Sequence, residues 1–132
     1  MPLIAHVSLG TNNLDKALEF YDSVLGCIGV KRIIDIPNIG AAYGRMNPEF
    51  WVQLPCDGQP AGIANGVHFA YHVESIEQVH AFYLAAIEAG ATDEGKPGPR
   101  SEYSEAYYGC FVRDLDGHKI EAMFWDKSKA PE

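Results

Sequence analysis

The 132-residue chain carries one stretch twice. HVSLGTNNLDKALEFY begins at His6 and HFAYHVESIEQVHAFY begins at His68. Both open on histidine and close on Phe-Tyr, with 62 residues between equivalents: His6 and His68, Phe20 and Phe82, Tyr21 and Tyr83. Leu14, Ala17 and Leu25 fall in the same way on Ile76, Val79 and Ile87. A repeat of this kind means one supersecondary unit built twice. Any fold for the chain must therefore hold two equivalent copies and explain why each begins with a histidine.

Each copy has the same internal plan. Leu3 to Leu9 is apolar and small enough for a strand, with His6 and Ser8 on one face and Ala5, Val7 and Leu9 on the other. Leu14, Ala17, Leu18, Tyr21 and Leu25 then follow helical spacing, with Asn13 at the N-cap and Gly26 at the stop. Short β-type runs follow at Val30–Ile36, Ala41–Met46 and Phe50–Leu54, broken at Pro37-Asn38 and Asn47-Pro48. The second copy repeats this order: a strand over Val67–Val73, a helix capped by Ser75 with Gln78 at capping-box spacing, and a stop at Gly90. A short strand at Ala91–Glu94, a loop over KPGPRSEYSE, and two strands around Leu115-Asp116-Gly117 complete it. The fold class is thus α+β, with two βαβββ modules; if the strands of each unit form one curved sheet and the two sheets face each other, they make a cupped mixed sheet.

CDGQPAGIANG lacks periodicity and reads as a linker, so the chain divides into a first module over 1–55, a linker over 56–66, a second module over 67–126 and a frayed tail over 127–132. All four belong to one domain, since 132 residues with 47% hydrophobic content suit a single core.

A second correspondence sits at the module ends. Arg45 and Gln53 are eight residues apart, as are Arg113 and Glu121, which makes Gln53 and Glu121 equivalent at an offset of 68. Convergence of His6, His68 and Glu121 gives two imidazoles and a carboxylate, the ligand set of an open divalent-metal site. Zn, Ni, Mn, Fe and Co are all compatible, with the amide of Gln53 as a further candidate ligand. Glu121 lies in the apolar run IEAMFW, where an ionised carboxylate is costly unless paired.

A net charge of −8 excludes a general nucleic-acid or anionic-membrane binder, which needs clustered Lys and Arg, and leaves a small-molecule partner. Cys27, Cys56 and Cys110 are an odd set without a CxxC pair and read as free thiols of a reducing compartment. With no leader-like N-terminus and no membrane-length apolar run, the expected location is the cytoplasm.

IAHVSLGTNNLDKALEFYDSVLG, GVHFAYHVES and the closing FVRDLDGHKIEAMFW together resemble the vicinal oxygen chelate superfamily, which includes glyoxalase I, extradiol dioxygenases, fosfomycin-resistance enzymes and bleomycin-resistance proteins. The resemblance covers nearly the whole chain. It implies paired βαβββ modules around a divalent metal that binds two adjacent oxygens of a small substrate, with His6, His68 and Glu121 as ligands and Glu121 also catalytic. It implies a metal-dependent enzyme, a glyoxalase-like lyase or isomerase, with a ring-cleaving dioxygenase or a fosfomycin-modifying transferase as the next reading. The non-enzymatic alternative is a small-molecule binder of the bleomycin-resistance kind. In glyoxalase I both last strands supply a glutamate, whereas Gln53 is an amide and cannot act as a base. A homodimer is expected, from the family and because open strand edges need cover.

Around this site Trp51 and Met123 share strand faces with Gln53 and Glu121 and form an apolar wall. His72 lies four residues after His68, on the same face about 13 Å along the strand. Arg100, Tyr103 and Tyr108, in the loop after the second helix, are placed to grip an anionic substrate. Asp114 and Asp116 serve the turn, and His80 and His118 are expected to face solvent.

Overall fold

In the computed structural model, which describes residues 1–130, the strands form two four-stranded mixed sheets, each covered on one face by a helix. The first unit contains β1 (Val7–Gly10), α1 (Leu14–Gly26), β2 (Lys31–Ile36), β3 (Gly40–Gly44) and β4 (Phe50–Gln53). The second contains β5 (His68–His72), α2 (Ile76–Glu88), β6 (Thr92–Pro99), β7 (Tyr107–Arg113) and β8 (Lys119–Trp125). Their sheet orders are β1-β4-β3-β2 and β5-β8-β7-β6. In both, the first strand runs parallel to the last and the other neighbours are antiparallel.

The helices begin where side-chain caps satisfy free N–H groups. Asn13 accepts from Lys16 N, and Ser75 accepts from Gln78 N while Glu74 N donates to Gln78 Oε1. At the far end of α2, Gly90 takes a φ of 105°, a left-handed conformation that costs glycine little. Each helix buries one face on its own sheet: Tyr21 meets Phe50 at 5.1 Å between ring centroids, and Phe82 meets Tyr71 at 5.9 Å. Phe50 also touches Tyr71 of the other unit at 5.3 Å, so the two units share one core.

Polar contacts tie the units together at their turns. Asp114 is buried and accepts from Tyr21 Oη (2.5 Å), Asp116 N and His118 N. Asn12 N donates to Asp116 Oδ1, and His118 Nε2 donates to the carbonyl of Gly10 at 2.7 Å. His118 is therefore a link between units rather than a solvent-facing side chain. The linker is held as well, because Asn12 exchanges two hydrogen bonds with the backbone of Ala61.

Most elements end within two residues of the sequence expectation, and three boundaries depart further. β1 starts at Val7, so His6 precedes the strand instead of lying within it. β6 continues through Lys96-Pro97-Gly98-Pro99, which had read as loop. It is an edge strand with shifts of register at Gly95 and Gly98, and an edge tolerates proline because no ladder donor is needed on its outer side. Lys127–Lys129, expected to fray, form a short 3-10 turn capped by Asp126, while residues 131 and 132 of that tail lie outside the described residues. Among the described residues no helix is long and apolar enough to cross a membrane.

Candidate metal centre

β8 alternates strictly. Ile120 and Ala122 are fully buried under α2, which sends Lys119, Glu121, Met123 and Trp125 to the opposite, open face of the sheet. β5 does the same with exposed His68, Ala70 and His72, and the parallel ladder sets Ala70 opposite Glu121. One strand and two residues along, His68 brings Nε2 to 3.0 Å from Glu121 Oε1. The other carboxylate oxygen accepts a 2.8 Å hydrogen bond from Tyr107 Oη.

Glu121 is only 6% exposed, and Tyr107 and Phe111 are buried beside it. A carboxylate so enclosed persists because both oxygens have partners. Burial, and then the bond to Glu121, push the Tyr107 hydroxyl well above the ordinary tyrosine range, so it stays a donor. Phe111 lies edge-on to His68 at 6.1 Å, with Lys119 Nζ 4.8 Å and the Arg100 guanidinium carbon 5.9 Å from its ring centroid. Two cations thus stand beside the His68–Glu121 pair in a chain that is otherwise acidic.

His6 is exposed just before β1 of the first sheet, edge-on to Trp51 at 6.5 Å between centroids. It lines a cleft of about 780 Å³ that also receives His68 and His72. Among the described residues, no three His, Cys, Asp or Glu side chains stand close enough to share one ion. The structure brings together His68 and Glu121 and leaves His6 with Trp51.

The ladders also correct the equivalence of Gln53 and Glu121. Thr11 N donates to the carbonyl of Gln53, and Val73 N, its repeat equivalent, donates to that of Met123. Ser8 pairs with Trp51, and its equivalent Ala70 pairs with Glu121. The offset on the last strands is therefore 70, so Trp51 corresponds to Glu121 and Gln53 to Met123. The offset is 69 on the strand before the last hairpin and 70 after it, because Tyr43 and Phe50 pair across six residues and their equivalents Val112 and Ile120 across seven; Arg45 and Arg113, 68 apart, are not themselves equivalent. Gln53 sits opposite Gly10, four residues and about 13 Å along β1 from His6.

The remaining expected residues divide. Met123 pairs with His72 and lies half-buried on the face of Glu121. His72 is exposed on that same face, and its carbonyl accepts from Arg45. Arg100 folds back to donate to the carbonyls of Lys96, Gly98 and Pro99. Tyr103, 60% exposed, stands edge-on to Tyr107 at 5.1 Å. Tyr108 does not face the site: strand alternation turns it toward α2, where its hydroxyl lies 2.7 Å from His80 Nε2. Sequence reasoning counts Tyr107 among the residues of the Lys96–Tyr108 segment able to cover the site but misses its bond to Glu121, and it misses Phe111 and Lys119 altogether. The available signal was alternation in YYGCFVR, which places residues 107, 109, 111 and 113 on the face of Glu121.

The donor set fits a divalent ion. Imidazole nitrogen and carboxylate oxygen both bind such ions at about 2.0–2.2 Å, so donors 3.0 Å apart can serve neighbouring positions on one ion. His68 and Glu121 supply two donors, and a third is needed for the two-imidazole, one-carboxylate set.

Paired βαβββ sheets with an imidazole–carboxylate pair on one open face define a vicinal-oxygen-chelate type of protein. The chain belongs to the Glyoxalase/Bleomycin resistance protein/Dioxygenase superfamily, whose family model matches residues 3–122. It is 28% identical over 136 residues to the trivalent organoarsenical cleaving enzyme of Bacillus sp. (strain MD1), covering 97% of this chain and 76% of that protein. It is 29% identical over 122 residues to metallothiol transferase FosB of Shouchella clausii (strain KSM-K16), covering 89% of this chain and 77% of that protein. Among solved structures, a glyoxalase/bleomycin resistance protein from Albidiferax ferrireducens T118 superposes with a TM-score of 0.84 at 33% identity, over 93% of this chain and 98% of the other.

Proposed function

We propose that the protein is a divalent-metal-dependent enzyme acting on a small substrate that offers two adjacent oxygens, with His6, His68 and Glu121 as the protein ligands. The observation that carries this reading is the 3.0 Å approach of His68 Nε2 to a buried Glu121 carboxylate inside the otherwise apolar run Ile120–Trp125 of β8. A bound divalent ion supplies Lewis-acid polarisation of a substrate oxygen. Glu121 and His68 hold it, Lys119 and Arg100 attract a negatively charged substrate group, and Phe111 and Met123 give the substrate an apolar wall.

His6 completes the set from a second copy in a homodimer. The first sheet offers a lone exposed histidine beside Trp51, and the second offers an imidazole–carboxylate pair lacking one donor. Facing the first sheet of one copy to the second sheet of the other satisfies both at two symmetric sites.

Trp51 at the position equivalent to Glu121 leaves one carboxylate per site. Proton transfer between adjacent carbons by a pair of metal-bound glutamates, as in glyoxalase I, is therefore disfavoured. Addition or cleavage at the chelated substrate suits the site better, in keeping with the transferase and organoarsenical-cleaving relatives.

The test is a panel of metals assayed with fosfomycin plus a thiol, a trivalent organoarsenical, a catechol and a glutathione hemithioacetal. Turnover of one of the first three, abolished by Glu121→Gln, supports the reading. Hemithioacetal isomerisation alone contradicts the argument that proton transfer between adjacent carbons is disfavoured at this site. Tight ligand binding by metal-free protein with no turnover would favour a binding protein. For the shared site, mixing His6→Ala with His68→Ala protein should restore one intact site per mixed dimer; mixtures that stay inactive contradict it.

A further inference from the structure

We infer that Tyr107 is a positioning residue that fixes which oxygen of Glu121 faces His68, and that Gly109 exists to make room for it. This rests on the reading of Glu121 as a ligand. Tyr107 and Glu121 do not sit directly across the β7–β8 ladder: Glu121 pairs with Phe111, and Tyr107 with Trp125. To reach the carboxylate the tyrosine ring must lie along the strand, over residue 109, and that position carries no side chain. A Cβ there would overlap the Tyr107 hydroxyl and ring and crowd the carbonyl of Ala122. Gly109 is buried within β7 and its φ is not positive, so space and not conformation is what the glycine supplies.

The ring is further fixed by Tyr103, edge-on at 5.1 Å. With the hydroxyl donating to Oε2 at 2.8 Å, Oε1 is the oxygen left at 3.0 Å from His68 Nε2. Free rotation of the carboxylate is lost before any ion arrives, and the oxygen presented is set in advance. Partners of this kind orient ligands and are commonly worth 10–100-fold in metal affinity. Holding Oε2 also keeps Glu121 from chelating through both oxygens, a mode that suits larger oxygen-preferring ions.

The experiment is chelator competition with Zn²⁺ and Mn²⁺ on full-length wild type and on Tyr107→Phe, Gly109→Ala and, as control, Tyr103→Phe. Tyr107→Phe keeps the ring and removes only the hydroxyl. The expected result is Zn²⁺ affinity weakened about 10–100-fold by Tyr107→Phe, with Mn²⁺ affected less and the metal-free variant still folded, its melting curve lowered by the loss of a hydrogen bond to a buried carboxylate. Gly109→Ala should weaken Zn²⁺ in the same direction by displacing the ring, and Tyr103→Phe should leave it unchanged. Wild type that binds Zn²⁺ while Tyr107→Phe binds it within twofold overturns the inference alone. Wild type that binds neither ion overturns the ligand reading on which it rests.

Discussion

Trp51 and Glu121 occupy the same ladder position in the two repeats, opposite Ser8 and Ala70, which are themselves equivalent. One unit therefore sets an indole beside its histidine where the other sets a carboxylate. Duplication supplied the frame, and divergence at this one position makes the two sheet faces complementary.

That equivalence separates Trp51 from Gln53 by experiment. Gln53→Ala should leave metal content unchanged, because the residue lies opposite Gly10, far along the strand from His6. Trp51→Glu should tighten metal binding, about tenfold, by adding a charged oxygen donor next to His6. Chelator competition on both variants distinguishes them; weakening by Gln53→Ala alone would restore that amide as the ligand.

The bond between Tyr21 and Asp114 predicts a stability effect remote from the site. Tyr21→Phe removes one of the three donors to a buried carboxylate and should cost about 1.5–3 kcal/mol, the usual range for a hydrogen bond to a charged group. Urea unfolding checks this, with metal content of the folded variant unaltered. A loss below about 0.5 kcal/mol would mean the link contributes little.

The repeat, the βαβββ order and both helix caps were legible in the chain, because each rests on a local period or on a residue whose chemistry suits one place; of the expected set of His6, His68 and Glu121, the structure brings the last two together and leaves His6 beside Trp51. Caps such as Asn13 and Ser75 act within one turn. What failed depended on pairing between strands. Counting from Arg45 and Arg113 made Gln53 equivalent to Glu121, two residues out of register: the arginines are one residue out of step, and the extra residue of the second hairpin, which leaves no mark on composition, adds the other. The prolines of Lys96–Pro99 hid an edge strand, and two adjacent tyrosines at 107 and 108 face opposite sides of the sheet, so only one of them reaches the site.

Cysteine reactivity should divide in the same spatial way. Cys27 and Cys56 are exposed, while Cys110 is buried under α2, and that burial pushes its thiol up to about 12. A thiol reagent at pH 8 should modify two cysteines in the folded protein and the third only after unfolding, as counted by mass spectrometry. Above pH 9 the unfolded chain loses this proton while the folded one keeps it. Folding stability therefore falls as pH rises from about 9 toward 12, by about 1.4 kcal/mol per pH unit from this group at most. Cys110→Ala should flatten that fall.

Tyr108→Phe tests the assignment of faces. Its hydroxyl meets His80 on the helix side, so removing it should leave substrate turnover and metal affinity unchanged, whereas a large loss would put Tyr108 in the pocket.

Metal content per chain tests the central claim most directly. Wild-type protein purified without chelators and measured by elemental analysis should carry about one divalent ion per chain, and His6→Ala, His68→Ala and Glu121→Gln should each carry close to none while remaining folded. Wild type without metal after exposure to each candidate ion, or a His68→Ala protein that keeps its full complement, would contradict it.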